Sequence, residues 1–454
     1  MKSTLPAPRA GFLVSAGIGV GFLLFAGLLT GPSPDSAIFT VVGDGIVRGD
    51  MPYRDLWDHK PPGVYLVAAL AALMPGSSWG WLWGASVAAT VAAGYLLWPL
   101  TNRWTALLAA LGMAVYPAAL GGGLTEPFGA VPAVAALLLA TRGRYVWAGV
   151  AVAVALLFSI QYLPELLALA ILAPRAVPRG IAGALFVVAA GAAWLGDTLP
   201  AALDALLRYH IAYGALDRTS DLDNLPGLLL LLLPLTVLAI LRGSGLRRLD
   251  LAAAAWLLVG VVLVMIQGRL FAHYAVPLLI PLAILAARGV RRLGSSRAWA
   301  LPGLVIIYVG WAQAAAIAAG DGNLAERGVA VWLQDHARPG DQLLAWGHEA
   351  DIYLESGLDP AGRFLYLMPL VTPGYSTAAQ VDAWVTSLRA DPPAFIVDSE
   401  AANPYWTGDD FLRPPPPGAA GGRDLDLLDP LRAFVTERYK LAAVVNDREI
   451  WALR

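Results

Sequence analysis

The sequence predicts a polytopic α-helical membrane protein that ends in a small α/β domain on the outer side of the bilayer. Three observations carry this expectation. Of 454 residues, 58% are hydrophobic and only 14% charged, against roughly 25% charged in an ordinary soluble domain, and the mean hydropathy is +0.62. The apolar character is concentrated between about residue 10 and residue 320, in runs near the ~20 residues a helix needs to cross a bilayer. After Asp321 mixed, charged sequence takes over. Third, the loop charges separate by sign. A cytosolic globular protein is excluded by the shortage of charge. The net charge of −2 leaves no basic footprint for nucleic acid. The absence of cysteine removes disulfides, thiolate metal sites and cysteine nucleophiles together.

The first apolar run, 11–30, follows Lys2 and Arg9. It reads as an uncleaved spanning helix, because it is about 20 residues long and has no clear A-x-A cleavage site. Further spans are expected at 79–99, 104–120, 125–140, 145–160, 162–172, 180–195, 225–241, 251–267, 270–287 and 299–317, about eleven in all. The two that flank Gln161 are short and suggest a hairpin that barely crosses. The piece 63–74 is too short to span comfortably and is expected on the outer surface as a juxtamembrane helix.

An odd number of spans puts the termini on opposite sides. With the N-terminus inside, the inner loops collect Lys2, Arg9, Arg103, Arg142, Arg144, Arg175, Arg179, Arg242, Arg247, Arg248, Arg288, Arg291, Arg292 and Arg297, with Asp250 as their only acid. The outer loops hold Asp35, Asp44, Asp50, Asp55, Asp58, Asp197, Asp204, Asp217, Asp221 and Asp223. The cytoplasmic bias of basic residues selects this orientation. The expected organisation is a membrane part, 1–320, with outer loops at 31–62 and 196–224, followed by an outer α/β domain, 321–454. In that domain helices at 324–337, 349–356, 378–390 and 425–439 alternate with strands at 342–346, 363–367 and 394–398. A last pair of strands, 441–446 and 449–453, implies a sheet with an antiparallel edge. The Pro/Gly-rich stretch 403–423 is expected as a mobile loop.

Mid-span charges are nearly absent and no internal repeat is visible, so polar chemistry collects on the outer rim. That favours an enzyme at the membrane surface over a transporter or flippase. Asp35 follows Pro34 where it can cap a helix, and Ile38, Phe39, Val42, Ile46 and Val47 give the next segment one apolar face. Asp44 falls on the polar face. The densest polar cluster is Asp58-His59-Lys60-Pro61-Pro62, whose prolines fix the backbone and start the next helix. All but Lys2, Lys60 and Lys440 of the 31 basic residues are arginine. A lysine here suggests a compact point charge, with a snorkelling anchor as the plainer reading.

Arg269 and His273, four apart and followed by Tyr274, share a face at the start of the span 270–287 if its helix begins early. Glu126 stands at another outer helix start, and Arg208, Tyr209, His210 and Tyr213 lie in the second loop. No H-x-x-H or H-E-x-x-H spacing occurs, and no residue is assigned as a metal ligand. A divalent metal held by His59, His210 and His273 with Asp35 or Glu126 is the one cofactor these residues leave open. Trp346-Gly347-His348-Glu349, at a strand end, either faces the membrane site or makes an ordinary turn. There is no P-loop, no G-x-G-x-x-G after a strand and no G-x-S-x-G.

These pieces, in this order, resemble the GT-C superfamily of membrane glycosyltransferases. The nearest branch is glycosyltransferase family 39 with its bacterial relatives, the protein O-mannosyltransferases and the lipid A aminoarabinose transferase. The matches are Asp35 after the first span, G-D-M-P-Y-R-D-L-W-D-H-K-P-P at Gly49–Pro62, Thr125-Glu126, and G-R-L-F-A-H-Y at Gly268–Tyr274. Two positions depart. Ser36 stands where relatives often have Glu, which keeps a non-catalytic homologue in play, and Gln161 stands where they often have a basic residue, which bears on donor specificity. The resemblance implies a multi-pass enzyme of the cell membrane that moves a sugar, with inversion, from a polyprenyl-phosphate donor to an extracytoplasmic lipid, glycan or protein acceptor. It implies Asp35 as the catalytic base. Lys60, Arg269, His273 and Tyr274 would meet the donor phosphate, and Asp58, His59, Glu126, His210 and Tyr213 the substrates. The α/β domain is expected to cover the site and help choose the acceptor without contributing the base.

Overall fold

A computed structural model of the chain describes residues 31–119, 124–215, 225–243, 245–267, 270–293, 303–305, 310, 327–399 and 425–454. The expected first span (11–30), Arg269, Asp217, Asp221, Asp223, the loop 403–423 and most of the expected span 299–317 lie outside these residues. The helical part runs through α1 (Pro34–Arg48), α2 (Gly63–Ala72), α3 (Ser78–Leu97), α4 (Arg103–Ala119), α5 (Thr125–Thr141), α6 (Tyr145–Leu156), α7 (Glu165–Leu172), α8 (Val177–Leu195), α9 (Leu225–Ile240), α10 (Arg248–Gln267) and α11 (Leu279–Arg292). Among the described residues four helical stretches are long and apolar enough to cross a membrane: Ser78–Leu100, Pro174–Tyr213, Arg248–Gln267 and Ala272–Arg292. The other apolar helices are shorter, so the count of about eleven full spans is not established. Around Gln161 two short helices, α6 and α7, are joined by a turn at Ile160–Tyr162, and α7 packs on α10 rather than folding back on α6 as a hairpin.

Small residues set the spacing of these helices, as they must where lipid gives no hydrophobic force between them. A Cβ on Gly149 of α6 would lie 1.8 Å from the Gly180 carbonyl oxygen of α8. Likewise, a Cβ on Gly43 of α1 would lie 2.5 Å from Ala68 of α2. This close pairing of α1 and α2 sets the segments that carry Asp35 and Lys60 side by side.

The sheet comprises β1 (Gln342–Trp346), β2 (Asp359–Pro360), β3 (Phe395–Asp398), β4 (Tyr439–Val445) and β5 (Arg448–Leu453), in the order β2-β1-β3-β5-β4. β1 is parallel to β2 and β3, whereas β5 is antiparallel to both β3 and β4. Residues 363–367, expected as a strand, are irregular. Their apolar side chains leave the sheet to pack against the first outer loop, and Phe364 makes a single bridge with Trp57. The second parallel strand is instead the short β2.

One buried cluster therefore crosses from the helices into the sheet. Trp57 is fully buried, its Nε1 donates to Tyr375 OH at 3.1 Å, and its ring meets Tyr209, Tyr366 and Phe364. The Arg363 guanidinium donates to the Tyr53 carbonyl at 3.1 Å, and Tyr375 OH donates to Asp204 at 2.6 Å. The first loop, the second loop and the α/β region thus share one core.

Gly43→Ala should destabilise the detergent-solubilised protein by about 1–3 kcal/mol, the usual scale of overpacking. Gly84→Ala, on α3 with nothing within 4 Å of its Cβ position, should be neutral or slightly stabilising by helix propensity. Thermal unfolding of both variants checks the α1–α2 contact.

Candidate active site

Asp35 is not the cap of its helix. Ser33 is: its Oγ accepts from the Ser36 N–H at 3.2 Å. The Asp35 carboxylate is left for other use, and its side chain keeps 30% exposure, so a substrate or solvent reaches it. Its Oδ1 lies 3.8 Å from His348 Nε2, an ion-pair distance longer than a direct hydrogen bond. Burial opposes ionisation of Asp35, but Lys60, His348 and His273 outweigh it and hold the carboxyl well below the usual carboxylate range.

Lys60 is gripped by its backbone. Tyr53 OH donates to the Lys60 carbonyl at 2.8 Å, and the Lys60 N–H donates to Tyr65 OH at 3.2 Å. Tyr53 holds a left-handed φ of 70° to reach this position, a conformation that costs a non-glycine residue. The Lys60 ammonium sits over the Tyr274 ring, 5.7 Å from its centroid. Burial favours the neutral amine, but Tyr274, Asp35, Glu126 and Asp58 together raise the Lys60 pKa above its ordinary value. The charge on Lys60 is therefore secure at neutral pH.

Asp58 is buried, and protein donors occupy both of its oxygens: Tyr65 OH at 2.7 Å on Oδ2 and Tyr366 OH at 2.7 Å on Oδ1. His59 Nδ1 lies 3.2 Å from the same Oδ1 and 2.9 Å from Tyr366 OH. Burial again opposes ionisation, and these contacts win, lowering the Asp58 pKa to about 2. His59 continues into a ring cluster with His210 and Tyr213, at centroid distances of 5.1 and 5.9 Å.

Glu126, at the first turn of α5, is 2% exposed. Its Oε1 is 3.5 Å from Ser159 Oγ, and its Oε2 has no partner among the described residues. Ser159 pairs closely with Gln161, whose Nε2 donates to Gln267 Oε1 at 2.9 Å. His273 and Tyr274 pack edge to face, 4.5 Å between centroids, in the turn before α11.

The structure thus gathers Asp35, Lys60, Glu126, His273 and Tyr274 around one set of charges, with Asp58, His59, His210 and Tyr213 in the adjoining wall. Asp44 is apart from them, accepting from Ser78 Oγ at 3.3 Å. No group of three metal-ligating side chains gathers among the described residues. Sequence reasoning missed Tyr53, Tyr65, Tyr366, Ser159 and the Gln161–Gln267 pair. His348 belongs to the Trp346–Glu349 strand end, which the sequence left open between facing the membrane site and an ordinary turn, and its side chain lies toward Asp35.

The arrangement is that of an apolar helical protein of GT-C fold with a small sheet domain packed against it. Two solved structures share it across almost their whole length. ArnT from Cupriavidus metallidurans bound to undecaprenyl phosphate has a TM-score of 0.66 at 14% identity, covering 98% of this chain and 98% of that one. ArnT from the same organism in the apo state has a TM-score of 0.66 at 14% identity, covering 97% of each. No family model matches the sequence, and no curated protein matches it significantly. The likeness, at this identity, is one of fold.

The Asp58 pKa gives a signed pH dependence. A carboxyl whose folded pKa is about 2 against an ordinary 3.8 contributes stability that is present above pH ~4 and lost as pH falls toward 2, on the order of 2 kcal/mol. Acid unfolding of Asp58→Asn should lose that part of the pH dependence, while wild type keeps it. Equal acid sensitivity in the two proteins would show that Asp58 is not held as a carboxylate.

Proposed function

We propose that this protein is an integral-membrane glycosyltransferase that moves a sugar from a polyprenyl-phosphate carrier to an extracytoplasmic acceptor, with inversion at the anomeric carbon. The observation that carries this reading is geometric: the partly exposed Asp35 carboxylate on α1 and Lys60, set over the Tyr274 ring, stand at one end of an apolar helix bundle, on the segments that the pairing of α1 and α2 sets side by side. The undecaprenyl phosphate held by the ArnT of the same fold supports the carrier class.

In this reading Asp35 takes the proton from an acceptor hydroxyl as its oxygen forms a bond to the anomeric carbon. The bond from that carbon to the carrier phosphate breaks, and its electron pair stays on the phosphate oxygen. Lys60 meets the growing negative charge at a poorly hydrated place, where electrostatic stabilisation is worth most. Arg269 and the His273–Tyr274 turn complete the phosphate site, and Glu126, His59, His210 and Tyr213 face the sugar or the acceptor. Asp58 works through its tyrosines, holding the loop that presents Lys60. The chain is multi-pass in the cell membrane, with its N-terminus cytoplasmic and its α/β domain, 321–454, outside.

The test is transfer of label from undecaprenyl-phosphate-linked mannose and arabinose to native membranes. Asp35→Asn should keep binding of undecaprenyl phosphate and lose transfer by a factor of ~10² or more, the scale of a general base. Lys60→Ala and Arg269→Ala should weaken that binding, and Asp44→Asn should change little. Near-normal transfer by Asp35→Asn would remove the base from the mechanism. A reporter after Arg454 should lie outside and one between Arg242 and Asp250 inside. Both on one side would overturn the orientation.

A further inference from the structure

We infer that His348, from the α/β domain, is a positioning residue for Asp35, so that the site is complete only when the sheet domain is docked on the helices. The inference rests on Asp35 being the base of the proposed reaction. It adds to that reading a residue from the domain expected only to cover the site.

Three features of the structure converge on His348. Its Nε2 lies 3.8 Å from Asp35 Oδ1, longer than a hydrogen bond but near enough to tighten into one when substrate is bound, as contacts at reactive sites do. The turn that presents it is built and rigid. β1 ends at Trp346, and Gly347 takes a φ of +135°, open to glycine alone at no cost. Gly347 accepts a backbone hydrogen bond from the Leu367 N–H at 3.1 Å. The following residue, Glu349, is buried and clamped by both arms of Arg448 on β5, at 2.8 and 2.9 Å. Such a fork fixes geometry as well as charge. Third, His348 meets the ring of Tyr366 edge-on at 5.2 Å, and the Tyr366 hydroxyl is itself on Asp58 at 2.7 Å. The same tyrosine therefore stands between the turn that aims His348 and the loop that aims Lys60.

Asp35 supplies the reason such a partner is needed. Ser33, not Asp35, caps α1, so the carboxylate is not taken up by capping. With His348 on Oδ1, the second oxygen is left to take the acceptor proton while the acceptor oxygen bonds to the anomeric carbon and the carrier phosphate departs. His348 gains and loses no proton in this account.

The experiment compares four variants in the full-length protein, using the donor that the transfer assay selects. His348→Ala should lower kcat roughly tenfold to hundredfold, the scale of residues that orient a reactive group, with donor KM and undecaprenyl phosphate binding nearly unchanged. His348→Gln, which puts an N–H at similar reach, should recover much of the loss. Asp35→Asn combined with His348→Ala should be no slower than Asp35→Asn alone, because His348 acts through the carboxylate. His336→Ala, an exposed histidine stacked on Trp332 in the same domain, should behave as wild type. An inactive Asp35→Asn with a wild-type rate in His348→Ala would overturn this inference and leave the proposed function standing. Loss of donor binding in His348→Ala without rescue by Gln would also overturn it, assigning His348 to packing alone. Near-normal transfer by Asp35→Asn would defeat the reading beneath both.

Discussion

One lysine ammonium at the rim of an apolar bundle is the constraint around which the rest of this site is arranged. Moving a cation away from water is costly unless opposite charge and hydrogen-bonding groups meet it. Lys60 is met by the Tyr274 ring, by Asp35, by Glu126 and more distantly by Asp58. Those groups come from the turn before α11, the first turn of α1, the first turn of α5 and the loop itself. No local stretch of chain could supply them, so the packing of four separate elements and the charge state of one side chain depend on each other.

The second dependence runs through tyrosine hydroxyls. Tyr53 and Tyr65 hold the backbone of Lys60, and Tyr65 and Tyr366 hold Asp58. Each hydroxyl has a rigid ring behind it, packed in the core that Trp57 joins to the α/β domain. This is why the loop 49–62 is well packed although it is long, and why it is held against the sheet. The loops beside Asp35 and Lys60 share one buried cluster with the sheet, while the helices behind them keep a second core of their own around Trp256 and Leu279.

Much of this was legible in the sequence, and the failures have physical causes. Strand 342–346 and helix 378–390 were read at their observed bounds because their apolar residues keep a clean period against a polar background. Residues 363–367 were misread as a strand because an apolar run that packs on a partner loop looks the same as one that packs in a sheet. Asp35 looked like a cap because Ser33 and Asp35 are both good capping residues in the same turn, and only the dihedral angles of the entry decide between them. Lys60 was legible from composition, as a rare lysine among arginines between a carboxylate and two prolines. Its tyrosine grips were not, because nothing in a sequence says which hydroxyl reaches which carboxylate across a fold. The contact of His348 with Asp35 is of the same kind, joining residues near opposite ends of the chain. Gln161 was noticed as an unusual residue, but its pairing with Gln267 required the crossing of α10 beside the turn between α6 and α7.

The central claim is that the rim formed by Asp35, Lys60 and Tyr274 receives the phosphate of a polyprenyl carrier. The direct measurement is a cryo-electron-microscopy structure of the full chain in lipid nanodiscs saturated with undecaprenyl phosphate. This account predicts phosphate density in contact with Lys60 Nζ, beside Tyr274 and on the same side as the Asp35 carboxylate, with the prenyl chain running down between helices. Phosphate density lodged instead at the other arginine-rich end of the bundle, near Asp250 and Arg288, with the Lys60 region empty, would contradict it.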